Sequence, residues 1–467
     1  QTDWLISVSS TSQEDPDLRF MSKFNRASGF YGFANTVFPT TPPRYFRLLQ
    51  EDNYNLRLDN TIPVDFWSNL EGSFKTGFYH ARSTRTYKDR GISYESRNDY
   101  APWNRDGDPN TFIPSLSQSA TVDDFFIRAL PENAYEGFQT INAGYWMGEV
   151  PVVERLKLIG GIRLEGTQID VDSVGGSSTV TKSSTNLKQL DLLPAAGLIY
   201  TPMTNMNIRL HYSGTIARPT YREIANVETF DFAGGDVLVG NPNLKITSIQ
   251  NYDIRWEWFP RPGYVLSAGM FYKELMSPIE QAYETLNQDK IIYQNRSEAT
   301  VYGLELEGRA NLEFIHDCFS RFTAGMNFAL IESETPLTTT ELGFKQTVDP
   351  STPDTRPLFN QSPYILNFDL SYDNSTSGTS ATVAYNIAGE RLVITNPFGE
   401  DIYEQSAASL DFSISQKLGK SQRWKLKFSA KNLLDPSFER TYGAQGTLPY
   451  SSYKKGRTYG VSLSYTF

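Results

Sequence analysis

The chain has 467 residues, a net charge of −10 and a sequence pI near 5.1, which excludes the basic face that a nucleic-acid partner requires. A single cysteine, Cys318, excludes a disulfide-stapled scaffold, and no run of eighteen apolar residues offers a helical membrane span. Aromatic residues reach 13%, with 27 Tyr and 29 Phe, while mean hydropathy is only −0.43; rings at headgroup level around a polar-lined barrel reconcile the two.

The opening QTDWLISVSS has neither a charged n-region nor an apolar h-region, so it is no signal peptide, and its residues 3–9 read as a first strand. A membrane barrel has to be exported, so residue 1 is not expected to begin the gene product. Farther along, Tyr252, Ile254, Trp256 and Trp258 share one strand face while Asn251, Asp253, Arg255 and Glu257 share the other. Lipid outside and water inside explain that split. Tyr264, Leu266, Ala268, Met270 and Tyr272 form the next outward set, and then Tyr302, Leu304 and Leu306 stand opposite Gly303, Glu305, Glu307 and Arg309. The series continues through Phe322 to Leu330, Tyr364 to Tyr372, Ala381 to Ile387, Leu410 to Ile414 and Trp424 to Ala430. It ends with Tyr459, Val461, Leu463, Tyr465 and Phe467. Tyrosines eight residues apart bracket two of the stripes, Tyr264 with Tyr272 and Tyr364 with Tyr372. At a tilt of about 40° that spacing projects to roughly 20 Å, close to the ~25 Å apolar band of a barrel.

Connections alternate between short and long. The short ones fall near 63–67, 149–155, 201–205, 259–263, 312–319, 373–378 and 418–421 and are expected at the periplasmic end. The long ones, near 10–43, 86–134, 169–185, 217–245, 274–295, 332–360, 388–403 and 435–453, are expected outside the cell. The fold class expected is all-β: an antiparallel transmembrane barrel of about sixteen strands across residues 1–467, located in a bacterial outer membrane.

The stretches IARPTYREIA (216–225), GNPNLK (240–245), FYKELMSPIE (271–280), NRSEATVYGLELEG (295–308) and KNLLDP (431–436) resemble TonB-dependent outer-membrane receptors, most nearly those of Bacteroidetes type. The terminal Phe467 suits that likeness, which covers residues 135–467. The resemblance implies 22 strands around an N-terminal plug, preceded by a TonB box that contacts the energising partner. Neither plug nor box is found in this sequence, so it is expected to be the C-terminal portion of a longer receptor, with TonB engaged through an absent N-terminal segment. The implied function is import of a scarce, bulky ligand such as a ferric siderophore. The alternatives are a glycan importer paired with a surface lipoprotein and a complete sixteen-stranded passive porin.

Ligand contacts are expected from outer-loop rings and arginines, which stack on planar groups and pair with anionic chelates. The candidates are Tyr100, Trp103, Arg105, Tyr221, Arg222, Arg356, Arg440 and Tyr442, with Phe230, Phe232, Phe398 and Tyr450 beside them. Arg218 is expected to pair with an acid such as Glu223, and Gly303 to admit something lying inside the barrel. No catalytic set is expected: the three histidines, His80, His211 and His316, stand in no nucleophile motif, and His211 and Ser213 are too far apart along one strand. Metal sites and cofactors are not expected either. His316, Asp317 and Cys318 are consecutive, and although Asp106, Asp108 and Asn110 have calcium-loop spacing, Gly107 and the absence of an acid at position 117 break that pattern.

Overall fold

A computed structural model describes every residue except 20–22, 26–30, 34–42, 68–69, 97–124, 176–180, 231–235, 285–286, 420, 445 and 447. Sixteen long strands follow one another as an antiparallel meander. They are β1 Thr2–Arg19, β2 Pro43–Asp65, β3 Glu71–Ser96, β4 Asn133–Val153, β5 Leu156–Gly175, β6 Thr181–Met203, β7 Met206–Ala217 and β8 Thr247–Trp258. The second half comprises β9 Val265–Met276, β10 Glu298–Asn311, β11 Phe322–Pro336, β12 Tyr364–Asn374, β13 Thr379–Ala388, β14 Ser409–Leu418, β15 Trp424–Lys431 and β16 Thr458–Tyr465. Two short strands, Phe125–Ala129 and Thr355–Arg356, pair with the outer ends of β3 and β11.

The outward sets meet one another in register. Tyr252, Ile254, Trp256 and Trp258 of β8 lie opposite Tyr272, Met270, Ala268 and Leu266 of β9. These in turn face Tyr302, Leu304 and Leu306 of β10, and Leu304 and Leu306 face Leu330 and Phe328 of β11. Because the side-chain period is two, a one-residue slip would turn this apolar surface into the lumen, so the pattern selects the register. Tyr212, Tyr252, Tyr272 and Tyr302 form a row across β7 to β10, with the first two ring pairs at 5.2 and 6.1 Å. Near the other rim, Phe322 meets Tyr372 at 5.1 Å and Trp424 meets Tyr465 at 4.9 Å. Two aromatic belts therefore bound the apolar band. Met270→Arg places a charge inside that band and is expected to cost about 2–4 kcal/mol of stability, measured by urea titration in lipid vesicles.

The first six strands are longer than the hydrophobic pattern suggests. β3 continues to Ser96 and β5 to Gly175, through positions expected to be loop. Above the band their outward residues are polar, among them Arg82, Lys88, Asp170, Asp172, Lys182 and Lys188. The ladder continues into water after lipid ends. The short connection at 312–319 also differs from a simple turn: Leu312–Phe314 and Asp317–Phe319 are one-turn 3-10 helices, and His316 Nδ1 accepts from the Cys318 amide at 3.2 Å.

Among the described residues, β1 pairs only with β2 and β16 only with β15. No pairing among the described residues joins β1 to β16, the contact that a closed sixteen-stranded porin requires.

Gly303 faces the lumen, but what fills its space belongs to the sheet. A Cβ there would collide with the Leu330 carbonyl oxygen of β11 and come within 2.7 Å of the Phe271 ring, which lies across the glycine from the paired position on β9. Gly303→Leu is expected to destabilise by about 1–3 kcal/mol through overpacking. Adding Phe271→Ala should recover only part of that loss in the same titration, because the Leu330 carbonyl stays in place.

Candidate functional site

The inner wall carries charge in ladders. Arg57 donates to Asp59 at 2.7 Å, Arg163 to Glu165 at 2.6 Å, Arg209 to Glu257 at 2.8 Å and Arg255 to Glu307 at 2.6 Å. Arg218, at the end of β7, donates to Glu165 and to Thr167 Oγ1 at 2.9 Å. Its acid is thus Glu165 on β5 rather than Glu223. Glu223 instead closes a capping box with Thr220 at the short helix α1, Tyr221–Ile224.

That helix delivers two of the expected ligand residues to the lumen. Arg222 lines a cavity of about 210 Å³ bounded by β1 to β4 and the loop after β7, and its guanidinium donates to Thr229 Oγ1 at 3.0 Å. Arg47 and Arg85 reach the same cavity from odd positions on β2 and β3, with Tyr87, Tyr135 and Phe230 as its rings. Arg47 donates to Asp89 at 3.0 Å and lies 5.2 Å from the Phe230 ring centroid. Arg85 donates to Glu51 at 2.7 Å and lies 5.3 Å from the Tyr221 ring. Tyr221 itself is buried, donates to the Ser83 carbonyl at 3.0 Å and occupies the space left open by Gly137. It supports Arg85 from behind.

Burial raises Asp89 above the ordinary carboxylate range, against the opposing pull of Arg47. Burial likewise raises the Tyr87 and Tyr135 phenols, so both remain neutral donors at physiological pH. Two guanidinium groups held by acids and rings and a third held by Thr229, around a cavity with neutral phenols and the Asp15 carboxylate at its edge, suit a planar or oxygen-rich anion. A larger concavity of about 850 Å³ lies lower on the wall, where Arg57, Arg163 and Arg209 stand beside inward Met147, Ile159, Leu193 and Ile199. Its walls are the membrane-spanning strands themselves, and its rings, Tyr79, Tyr145 and Trp146, are spread over about four times the volume that Tyr87, Tyr135 and Phe230 share.

The remaining expected residues lie elsewhere. Arg356 is buried and donates two hydrogen bonds to Glu280 at 2.7 and 2.8 Å. Arg296 joins Glu280 at 3.7 Å and Glu341 at 2.8 Å, so two arginines and two glutamates form one network, each residue only 1 to 7% exposed. Glu341 belongs to helix α2, Thr339–Val348, and its carboxyl is held below the usual range by the Thr338 amide and by Arg296, against burial, which acts in the opposite direction. Arg440 lies 3.5 Å from Glu404, and Tyr442 meets Tyr450 edge-on at 5.7 Å. Phe398 packs edge-on against Phe344 at 4.5 Å. Tyr100, Trp103, Arg105 and Phe232 lie outside the described residues. The structure therefore brings Tyr221, Arg222 and Phe230 together and leaves Arg356, Arg440 and Tyr442 in the outer-loop layer.

Arg47, Arg85, Tyr87 and Tyr135 were not singled out from the sequence. The available signal was parity: all four share the inward, odd phase of Arg57 and Asp59.

The outer layer is built from two four-stranded sheets of loop segments. They meet where Ala282 bridges Thr395 in parallel, and Tyr283 N donates to the Thr395 carbonyl at 2.9 Å.

The family profile described as TonB dependent receptor-like, beta-barrel matches residues 2–433. Among solved structures, the ferric yersiniabactin uptake receptor of Yersinia pestis matches 100% of this chain and 59% of its own, at 14% identity and a TM-score of 0.59. A ferric citrate transporter in unliganded form matches 99% of this chain and 62% of its own, at 9% identity and a TM-score of 0.56. The siderophore receptor PiuA of Acinetobacter baumannii matches 99% of this chain and 72% of its own, at 12% identity and a TM-score of 0.53. At these identities the likeness is one of fold, and the chain spans about six-tenths of the length of the first two. No curated protein sequence matches it.

Proposed function

This chain belongs to the TonB-dependent receptor family, as its β-barrel part, and from that premise we propose that it serves the uptake of an anionic ferric chelate across the outer membrane. The observation that carries the reading is the lumenal cavity under the outer loops, where Arg47, Arg85 and Arg222 converge with Tyr87, Tyr135 and Phe230. A ferric siderophore presents both features such a cavity recognises, negative oxygen donors and planar groups. The family is one of outer-membrane receptors and transporters rather than enzymes.

In this reading residues 1–467 form the C-terminal part of the receptor barrel, and strands supplied from elsewhere pair with the open edges of β1 and β16. The inward patch of Met147, Ile159, Leu193 and Ile199 is the seat of a plug that TonB moves. Tyr100, Trp103, Arg105, Arg440 and Tyr442 act, in the same proposal, in first capture of the ligand by the outer loops. The charged rungs below the cavity give a released ligand a polar path along the wall.

A binding panel on the full receptor in detergent tests the ligand class. Ferric hydroxamate, catecholate and carboxylate chelates are titrated beside neutral oligosaccharides. Saturable binding of an anionic chelate that weakens with salt supports the reading. Binding of oligosaccharides alone would favour glycan import.

A further inference from the structure

Three features lie one above another on the outward face of β3 to β8. The lowest is an apolar hollow of about 860 Å³ within the membrane band, walled by Leu158, Leu198, Leu210 and Ile254. Gly160 and Ala196, paired across β5 and β6, leave its floor without bulk. Above the exposed apolar residues Phe78, Leu164 and Leu190 comes a polar row in which Arg82, Thr140, Gln168 and Lys188 stand opposite one another across β3 to β6. Three strand spacings separate its two cations by about 14 Å. The highest feature is a concavity of about 610 Å³ between Lys88 and Lys182, lined also by Thr86, Glu136, Asp172 and Ser184. Strand β6 alone passes through all three, at Ala196, Lys188 and Lys182. We propose that this face binds a phosphorylated glycolipid of the outer leaflet, with acyl chains in the hollow, phosphate on Arg82 and Lys188, and sugar in the upper concavity.

Each layer matches the part of the lipid at its depth. Arginine and lysine at the edge of the apolar band meet phosphate oxygens where a headgroup begins, and the Arg82 guanidinium offers the fork that phosphate accepts in two hydrogen bonds. Among the described residues, none of Arg82, Lys88, Lys182 and Lys188 makes a hydrogen bond or an ion pair, so their charge is available to a ligand. Asp170, one row higher, accepts instead from Gln168 Nε2 at 2.7 Å and from Asn186. The hydroxyls of Thr86 and Ser184 and the carboxylates of Glu136 and Asp172 suit sugar hydroxyl groups, which both donate and accept. A simple diacyl phospholipid would occupy the two lower layers and leave the third unused.

The rest of the outer rim has the opposite character. The chain carries a net charge of −10, and on β9 to β11 the outward residues just above the tyrosine row include Glu274, Glu298, Glu332 and Glu334. Tyr272 donates to Glu274 at 3.3 Å and Tyr302 to Glu332 at 2.8 Å, and no cation pairs with these four acids among the described residues. Such a rim repels anionic headgroups, so the attraction is confined to β3 to β8. The site stands independently of the uptake reading, because it lies on the opposite face of the wall from the lumenal cavity.

The test titrates the delipidated full receptor, in neutral detergent, with a diphosphorylated, acylated glucosamine disaccharide and reads retention by native mass spectrometry. Saturable binding of the lipid is expected, and its dephosphorylated form should bind at least about tenfold more weakly. Each basic residue near an anionic lipid contributes about fivefold in affinity, so Arg82→Ala with Lys188→Ala should weaken retention about thirtyfold. Ala196→Trp fills the hollow and should also weaken retention, whereas Glu274→Gln with Glu332→Gln should not. Intact heat-modifiable migration of each variant shows that the barrel still folds. Absence of binding by the parent protein overturns the proposal, as does equal binding of the dephosphorylated form or unchanged retention in the double alanine variant. Phosphatidylglycerol bound as tightly as the disaccharide would overturn the assignment of sugar to the upper concavity.

Discussion

Replacing Arg85 and Arg222 together with alanine is expected to weaken binding of an anionic ferric chelate by about a hundredfold or more. A hydrogen bond to a charged group contributes about 1.5–3 kcal/mol, and each 1.4 kcal/mol is about a factor of ten in affinity. Both guanidinium groups line the cavity, from β3 and from α1, so their contributions converge on one ligand. Arg85→Ala also leaves Glu51 without its 2.7 Å donor, which adds repulsion toward an anion. Lysine at both positions keeps the charge but loses the planar fork, and an intermediate loss is expected. Isothermal titration on the receptor in detergent measures all of these. An unchanged affinity in the double alanine variant would place the ligand elsewhere.

The second large effect concerns the outer-loop layer. Glu280→Ala leaves Arg356 and Arg296 facing each other in a buried space with Glu341 as the remaining acid. Breaking a buried pair on one side costs about 3–5 kcal/mol, because the surviving charge has lost its compensation. Hydrogen exchange should therefore accelerate in the strands 279–284 and 287–295 and in α2, while β8 to β10 remain protected. Replacing Glu280 and Arg356 together with apolar residues of similar volume should restore much of that protection. Equal exchange in the single variant would mean that the network carries no stability.

Much of the barrel was legible before any coordinates, and the reason is the membrane. Lipid requires an apolar outer face, so the sets from Tyr252 through Tyr465 announce both strand identity and register, and the pairings of β8 with β9 and β10 follow them residue for residue. The same signal stops where lipid stops. Arg82, Lys88, Asp170 and Asp172 lie on strands whose inward neighbours, Ile169 and Val171 among them, are buried against the loop after β7, so the alternation is inverted there, and a search for an apolar outer face passes over it.

The site was legible only in part, for a related reason. Arg222 and Phe230 could be placed by their position in a long loop, but Arg47 and Arg85 differ from ordinary wall arginines only in what lies across the lumen from them. Arg356 looked like a ligand residue because Glu280, 76 positions away, cannot be recognised as its partner from sequence. Arg218 and Glu165, 53 positions apart, repeat the lesson, as does Phe271 over Gly303. Local patterns report the solvent on each side of a strand. They do not report which loop folds over which.

The most direct measurement is uptake of a radiolabelled ferric chelate by cells that carry the full receptor, compared with and without TonB. The account predicts accumulation that requires both the receptor and TonB and collapses when the proton gradient is dissipated. Accumulation that persists without TonB, with free ion conduction by the purified receptor in planar bilayers, would contradict it.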